Sequence, residues 1–226
     1  MTISGLPSHE EVVSFVERDR DFWEKLLKLS RATLERDVEV AFKVESRLSG
    51  GQFYISELGM GNEYSASAGK STCPYGWSER VSLFGLHSHL GKNGKPKAAI
   101  FSIDDLFTYL VVLGSNLSRI SQAIGIPDYN LFDEFEGHLL HHEGIVRPTI
   151  DSVRVLIYQP PTDIVRPSPK GYDVAKPNNH YVKMIDAIGK GDLDDQQRIV
   201  EGLRKNGYLA TFLKFETKKG TVLERL

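Results

Sequence analysis

The sequence predicts a mixed α/β domain in which a single mixed β-sheet is flanked by helices. Three observations lead to this fold class. Apolar residues recur at helical spacing near the N-terminus, they do so again after residue 102, and short apolar runs typical of strands lie between and after these segments. With 226 residues, of which 40% are hydrophobic, the chain is long enough to bury one such core.

The first predicted helix begins after Ser8. Ser8 and Glu11 match a capping box, in which the two side chains satisfy backbone N–H groups at the start of a helix. Apolar residues then follow at near-helical spacing, and we expect one helix that continues to about Asp37. The apolar positions are Val12, Phe15, Val16, Phe22, Leu26, Leu29 and Leu34.

The segments that follow predict strands. Residues 38–44 and 52–58 have strand-like apolar patterns, and the turn-forming sequence at 49–51 separates them, so we expect two neighbouring strands. Residues 59–77 are rich in Gly, Ser, Asn and Tyr, which predicts a loop long enough to line a cleft. Residues 81–89 are largely apolar and predict a buried strand.

Helical periodicity returns in the second half of the chain. Residues 103–123 predict a helix that ends near Gly125 and Pro127. Residues 128–143 are also predicted to be helical. Residues 153–158 are rich in β-branched and other apolar side chains, which predicts a strand.

We assign residues 1–158 to one domain on this basis. Residues 159–179 contain five prolines, which predicts a functional flap or a linker. The C-terminal extension, residues 180–226, is expected to pack on the same domain. It is predicted to contain two helices and a terminal strand, at residues 181–188, 194–205 and 208–215.

Composition limits the classes of partner and compartment. A formal net charge of −2 and a pI near 6.4 provide no basic surface, so neither a nucleic acid nor a membrane is expected as a partner. The single cysteine, Cys73, excludes an intramolecular disulfide and a cysteine-rich metal site. The absence of a signal-peptide pattern and of a long apolar run favours a cytoplasmic protein.

The strongest functional signal combines a strand end with a helix start. His87 and His89 end the strand predicted at 81–89, and side chains two residues apart on a strand project to one face, so both can bind one metal ion. Ser102 and Asp105 open the next predicted helix, from which Asp105 can reach back toward the strand. Two histidines, one carboxylate and an open fourth position describe a catalytic zinc site.

Structural interpretations of the same residues stay open at this point. Ser102 and Asp105 also match a capping pattern, in which the serine caps the helix and the carboxylate interacts with the positive end of the helix dipole. His87 and His89 taken alone are also compatible with a hydrogen-bonded core pair. The two motifs in succession favour a metal site, because rigid elements then hold all three ligands.

The order His87-x-His89 followed by Ser102-x-x-Asp105 resembles the JAMM signature of the JAB/MPN metalloprotease family. The resemblance implies a JAB/MPN (cytidine-deaminase-like) fold, in which His87, His89 and Asp105 bind Zn²⁺ and Ser102 lies beside the zinc-bound water. It also implies a peptidase or isopeptidase that hydrolyses an amide bond at the C-terminus of a ubiquitin-like protein, a peptide or a small sulfur-carrier protein.

The family also uses an upstream glutamate as general base. Glu39 fits best, because it follows the first predicted helix and begins a strand-like run; Glu45 and Glu57 are the competing candidates. The chain departs from the family pattern in three places: Leu90 replaces a proline, the glycine that commonly follows the base is missing, and residues 90–101 exceed the usual spacing. These residues are turn-forming and basic, which predicts a lengthened loop beside the metal.

Two other functional classes have less support. A non-catalytic MPN-type scaffold would keep the fold for protein assembly, but such proteins usually lose metal ligands, and all three are present here. Amidohydrolases and PHP-type phosphoesterases place His-x-His on the first strand and recruit several further ligands, which this chain does not match. His138, His141 and His142 lie in the helix predicted at 128–143, where we expect hydrogen-bonded or solvated histidines rather than a second metal site.

Overall fold

Eight strands form one sheet in the described part of the protein, and helices pack on both of its faces. The prediction of an α/β fold with a single mixed sheet flanked by helices is confirmed. The computed structural model describes residues 7–63, 65–89, 103–125, 141–161, 183–184, 187–188 and 195–226.

The elements are numbered in chain order. The strands are β1 (Val40–Arg47), β2 (Phe53–Ile55), β3 (Gly59–Met60), β4 (Arg80–Ser88), β5 (His142–Pro148), β6 (Ser152–Gln159), β7 (Leu209–Glu216) and β8 (Val222–Arg225). The helices are α1 (His9–Arg18), α2 (Arg20–Arg36), α3 (Ile103–Ile124) and α4 (Gln196–Lys205), and a 3₁₀ turn spans Trp77–Glu79.

The strand order across the sheet is β2-β1-β4-β5-β6-β7-β8, and β3 pairs with the start of β1. Strands β4 and β5 run parallel, whereas the other described neighbours are antiparallel. Parallel neighbours need a crossover connection, and α3 lies in the connection from β4 to β5. The start of α3 therefore lies near the end of β4.

The sheet separates two hydrophobic cores. Helices α1 and α2 cover one face, where the ring of Phe22 lies 5.4 Å from that of Phe42 and 6.1 Å from that of Phe84. Helices α3 and α4 cover the other face. Their fully buried residues include Leu106, Tyr109, Leu113, Ile199, Val200 and Leu203. Both faces of the central strands are therefore protected from water, which accounts for their continuous apolar character.

The prediction of a single N-terminal helix is wrong, because two helices, α1 and α2, occupy this segment. Ser8 and Glu11 form the predicted capping box of α1. Asp19 then adopts an extended conformation (φ −78°, ψ 121°) that ends α1, and its carboxylate accepts a hydrogen bond from the Phe22 N–H at 2.7 Å, which caps α2. Amphipathic spacing continues across this break, so periodicity alone does not reveal it.

Three other predicted boundaries also change. The strand predicted at 52–58 is shorter, since only β2 forms there, and the loop predicted at 59–77 contains β3. The prediction of a helix over residues 128–143 is wrong at its C-terminal end, because His142 and Glu143 belong to β5. The preceding part of that segment lies outside the described residues.

Several predictions are confirmed. Gly50 and Gly51, with φ of 81° and 121°, form the turn between the antiparallel strands β1 and β2. Helix α3 ends at Ile124, directly before Gly125, whose φ is 72°. Strand β7 matches the predicted terminal strand and pairs with β6, so it extends the same sheet, and β8 adds a strand that was not predicted. No described helix combines the length and the apolar character needed to cross a bilayer.

A buried amide fixes α3 against β4. Ser82 of β4 pairs with Glu45 of β1 next to a shift in register, so the ladder of hydrogen bonds between the two strands is irregular at this point. Asn116 of α3 accepts a hydrogen bond from the Ser82 N–H at 3.0 Å and donates one to the Ser82 carbonyl at 2.7 Å. Asn116 is fully buried, so its amide satisfies two backbone groups that water cannot reach.

Candidate metal centre

The candidate site lies where the end of β4 meets the start of α3. His87 is in β4, His89 follows it directly, and Asp105 lies in the first turn of α3. Strand alternation directs both imidazoles to the face that α3 covers, and the crossover brings the carboxylate to them. The structure therefore brings together the three residues predicted as metal ligands, and this group could hold a metal ion.

The distances within this group suit a single ion. Nε2 of His87 lies 3.0 Å from Oδ1 of Asp105 and 3.0 Å from Nε2 of His89, and Nε2 of His89 lies 3.4 Å from Oδ2 of Asp105. Ligand atoms about 2.0 to 2.1 Å from a tetrahedral ion are separated from one another by roughly 3.3 Å. The three separations are close to that value, although the two of 3.0 Å are also hydrogen-bond distances, and the described residues supply no fourth ligand to the group.

The carboxylates around the group favour a positive charge there, and a metal ion would compete with the proton of His87 for this place. Burial opposes protonation of His87, but the carboxylates of Asp105, Glu143 and Glu39 outweigh it and raise the pKa of this ring. Burial acts to raise the pKa of Asp105, yet His87 and His89 hold that pKa well below its usual range. Asp105 is therefore ionised at neutral pH, which is the form that binds a metal.

Glu39 lies beside this group. It precedes β1 by one residue and is two residues before Ala41, which pairs with His87 in the antiparallel register. The spacing directs Glu39 to the same face of the sheet as His87, and only 2% of the residue is exposed. Its charge contributes to the raised pKa of His87. Glu39 is thus a buried carboxylate near the candidate ligands.

The two competing glutamates lie elsewhere. Glu45 is farther along β1, opposite Ser82, and its Oε1 is 3.0 Å from Nζ of Lys43 and 3.7 Å from Nε of Arg80. These cations hold the Glu45 carboxylate away from the end of β4 that carries the histidines. Glu57 follows β2 and is exposed to solvent.

Ser88 anchors the backbone between the two histidines. It is fully buried, and its Oγ accepts hydrogen bonds from Oγ1 of Thr33 at 2.7 Å and from the Val40 N–H at 2.9 Å. Thr33 belongs to α2 and Val40 to β1, so one hydroxyl joins three elements. Sequence analysis did not single out Ser88, because its partners are distant in the chain.

A cavity of about 220 Å³ lies next to His87. Small side chains form much of its wall, and helix α3 contributes Thr108 and Val112. His141 and Glu143 also line the cavity. A pocket of this kind beside a metal group is a default location for a ligand.

His141 and Glu143 form a buried pair that sequence analysis missed. Nδ1 of His141 lies 3.0 Å from the Ser82 carbonyl oxygen, and because a carbonyl only accepts, Nδ1 carries a proton. Nε2 lies 2.7 Å from Oε1 of Glu143, within hydrogen-bond distance. His141 and Glu143 alternate directly before the apolar residues Ile145 and Val146. This pattern is typical of a strand and would have placed the two side chains on one face.

His141 and His142, for which no second metal site was expected, lie on opposite faces of the sheet. His142 points to the opposite face from His141 and stacks on His9 of α1, with ring centroids 5.3 Å apart. His138, Ser102 and residues 90–101 lie outside the described part of the chain. The predictions made for them stay predictions.

Comparisons of the chain with protein-family models, curated proteins and solved structures give no match. His87, His89 and Asp105, with the buried carboxylate of Glu39 beside them, are the residues of this chain that point to a function.

Proposed function

We propose that the protein is a zinc-dependent peptidase or isopeptidase of the JAMM type, built on a JAB/MPN fold. The observation that carries this proposal is the grouping of His87, His89 and Asp105, with Glu39 buried beside them. Two imidazoles and one carboxylate that leave a ligand position open are typical of a catalytic zinc site. A mixed sheet with helices on both faces is compatible with the proposed family.

The proposed roles follow from the chemistry of each residue. Zinc would act as a Lewis acid and lower the pKa of a coordinated water molecule to about 7. Glu39 would accept a proton from the attacking water as the new carbon–oxygen bond forms, and would donate it to the amine as the carbon–nitrogen bond breaks. Ser102 would donate a hydrogen bond to the carbonyl oxygen as negative charge develops there.

The proposed substrate is the extended C-terminal tail of a ubiquitin-like or small sulfur-carrier protein. This class is implied by the family resemblance of the His87-x-His89 and Ser102-x-x-Asp105 motifs. The cavity next to His87 supports it, because its walls come from β1, β4 and α3 and it has room for a substrate side chain beside the metal group. A cytoplasmic location agrees with such a substrate.

The experiment is hydrolysis of a ubiquitin-like fusion by zinc-loaded wild type, Glu39→Gln and Glu57→Gln. We expect Glu39→Gln to lower kcat by about 10² to 10⁴, since general-base catalysis is lost, while the zinc content stays unchanged. Glu57→Gln removes the same charge at an exposed position and is expected to change kcat less than about twofold.

Cleavage at the wild-type rate by Glu39→Gln would show that another group acts as the base. A zinc-loaded wild type that cleaves neither fusions nor peptides would contradict the proposed enzyme and would favour the scaffold function instead.

A further inference from the structure

The cavity next to His87 contains a carboxylate oxygen with unused capacity for hydrogen bonding. Oε1 of Glu143 contacts Nε2 of His141, whereas Oε2 has no hydrogen-bond partner among the described residues. Only 5% of Glu143 is exposed, and the residue lines the cavity. An ionised carboxylate oxygen only accepts hydrogen bonds, and a buried one gains strongly from a donor.

The orientation of this carboxylate is fixed by its neighbours. His141 is held through Nδ1 by the Ser82 carbonyl, and Asn116 in turn holds Ser82, so the contacts run from α3 to the Glu143 side chain. Gly85 provides the space, because a Cβ atom there would lie 2.8 and 2.9 Å from the two Glu143 oxygens. The acceptor is therefore positioned before any ligand arrives.

The size and the lining of the cavity define what it can hold. A volume of about 220 Å³ equals the space of about seven water molecules, which is enough for one long side chain. The alanines at positions 41, 66 and 68 offer a small apolar surface for a methylene stem. Lys43 also lines the cavity, but its ammonium group lies 3.0 Å from Glu45, so its charge is already paired.

We propose that this cavity is a substrate subsite for a lysine or arginine side chain next to the scissile amide bond. An ammonium or guanidinium group carries only donors and so complements the Oε2 atom of Glu143, which only accepts. His87 lines the same cavity, so the bound residue lies beside the proposed metal centre. The link to cleavage rests on the proposed function, whereas the binding of a basic side chain rests on Glu143 and the cavity alone.

The kinetic test uses pairs of peptides with lysine or norleucine at each of the two residues that flank the cleaved bond. At one of these positions, wild type is expected to prefer lysine by about tenfold or more in kcat/KM, the usual effect of a charge-assisted hydrogen bond. Glu143→Gln should reduce this preference to less than about threefold. Circular dichroism and the zinc content of Glu143→Gln should match those of wild type, which shows that the fold and the metal group are intact.

A binding measurement separates the subsite from the catalytic proposal. Glu39→Gln, whose kcat is expected to be lower by about 10² to 10⁴, is titrated by calorimetry with the same two peptides. The lysine peptide should bind about tenfold more tightly, and the second substitution Glu143→Gln should remove the difference. Ala68→Leu, which fills the cavity from a loop and leaves Glu143 in place, should also remove it.

The outcomes are distinguishable. Tighter binding of lysine that depends on Glu143, without cleavage by wild type, supports the subsite and contradicts the proposed enzyme. Equal binding and equal cleavage of lysine and norleucine peptides at both positions overturns the subsite. A lysine preference that survives both Glu143→Gln and Ala68→Leu overturns it as well.

Discussion

At the scale of single residues, the hydroxyl of Ser88 joins the elements that carry the candidate ligands. Ser88→Ala would leave the Thr33 hydroxyl and the Val40 N–H without their acceptor in a buried place. We expect the free energy of unfolding to fall by about 1 to 3 kcal/mol, which is the usual loss for buried unsatisfied groups. Urea denaturation measures this change.

The control for this prediction is Ser78→Ala, which removes a hydroxyl from an exposed position. Its effect is expected to be below about 0.5 kcal/mol. Thr33→Val combined with Ser88→Ala should cost less than the sum of the single changes, since the two hydroxyls contact each other. Additive losses would contradict the role of this contact.

The residues of the candidate site differ in how far the sequence predicts them. His87, His89 and Asp105 are accessible to prediction because strand alternation and a helix start are local patterns. Glu143 and His141 are missed, although only one residue separates them. The space for Glu143 comes from Gly85 and the partner of His141 is the Ser82 carbonyl, and both lie far away in the chain. From the sequence alone these two polar residues are assigned to the end of the helix predicted at 128–143.

At the scale of elements, the position of α3 depends on Asn116. Asn116→Ala would leave the Ser82 N–H without its acceptor, whereas the Ser82 carbonyl keeps its contact with Nδ1 of His141. We expect the free energy of unfolding to fall by about 1 to 3 kcal/mol, the usual loss for a buried group left unsatisfied. Urea denaturation is the measurement, and zinc affinity should fall too because α3 carries Asp105.

Gln122→Ala is the matched control, because this amide lies on an exposed position of the same helix. It is expected to change stability by less than about 0.5 kcal/mol. Similar losses in the two variants would show that Asn116 does not fix α3.

The docking of α1 on the sheet involves two stacked histidines. His9 of α1 lies against His142 of β5, and its Nε2 is 2.9 Å from Oγ1 of Thr211 in β7. Burial lowers the pKa of His142 well below its ordinary value. Neither ring is therefore expected to carry a charge at neutral pH in the folded protein.

Stability should consequently fall in acid. Burial lowers the pKa of His9 from 6.5 to about 4; Glu10 opposes this shift, and Arg204 and Arg225 add to it. In the unfolded chain His9 takes up a proton near pH 6.5, whereas in the folded protein it does so only near pH 4. The unfolded state therefore binds more protons between these two pH values, and the free energy of unfolding decreases as the pH falls through this interval. His9→Phe should make the decrease shallower in urea titrations at successive pH values, and an unchanged slope would contradict this account.

Prediction of the elements succeeds where the local pattern is strong. Strand β4 and helix α3 follow directly from apolar periodicity, and their boundaries agree with the sequence to within a few residues. The break at Asp19 is missed because both helices bury the same apolar face. Strand β5 is missed because His142 and Glu143 look polar locally. Both are buried in the fold, where His142 stacks on His9 and Glu143 lies against Gly85, residues that are distant in the chain.

At the scale of the whole molecule, metal binding should stabilise the fold. The candidate ligands come from β4 and α3, so an ion joins two elements that are separate in the unfolded chain. Zinc at 100 times its Kd should add about 2.7 kcal/mol to the free energy of unfolding. Thermal melting with zinc and after chelation measures this gain, and Asp105→Ala should abolish it. An equal shift in Asp105→Ala would place the metal elsewhere.

The most direct test of the account is the metal content of the purified protein. We predict one zinc ion per wild-type chain, and loss of that zinc in both His87→Ala and Asp105→Ala while circular dichroism shows that the fold is kept. A folded wild-type protein without stoichiometric metal, or one whose zinc survives both substitutions, would contradict the assignment of His87, His89 and Asp105 as the metal centre.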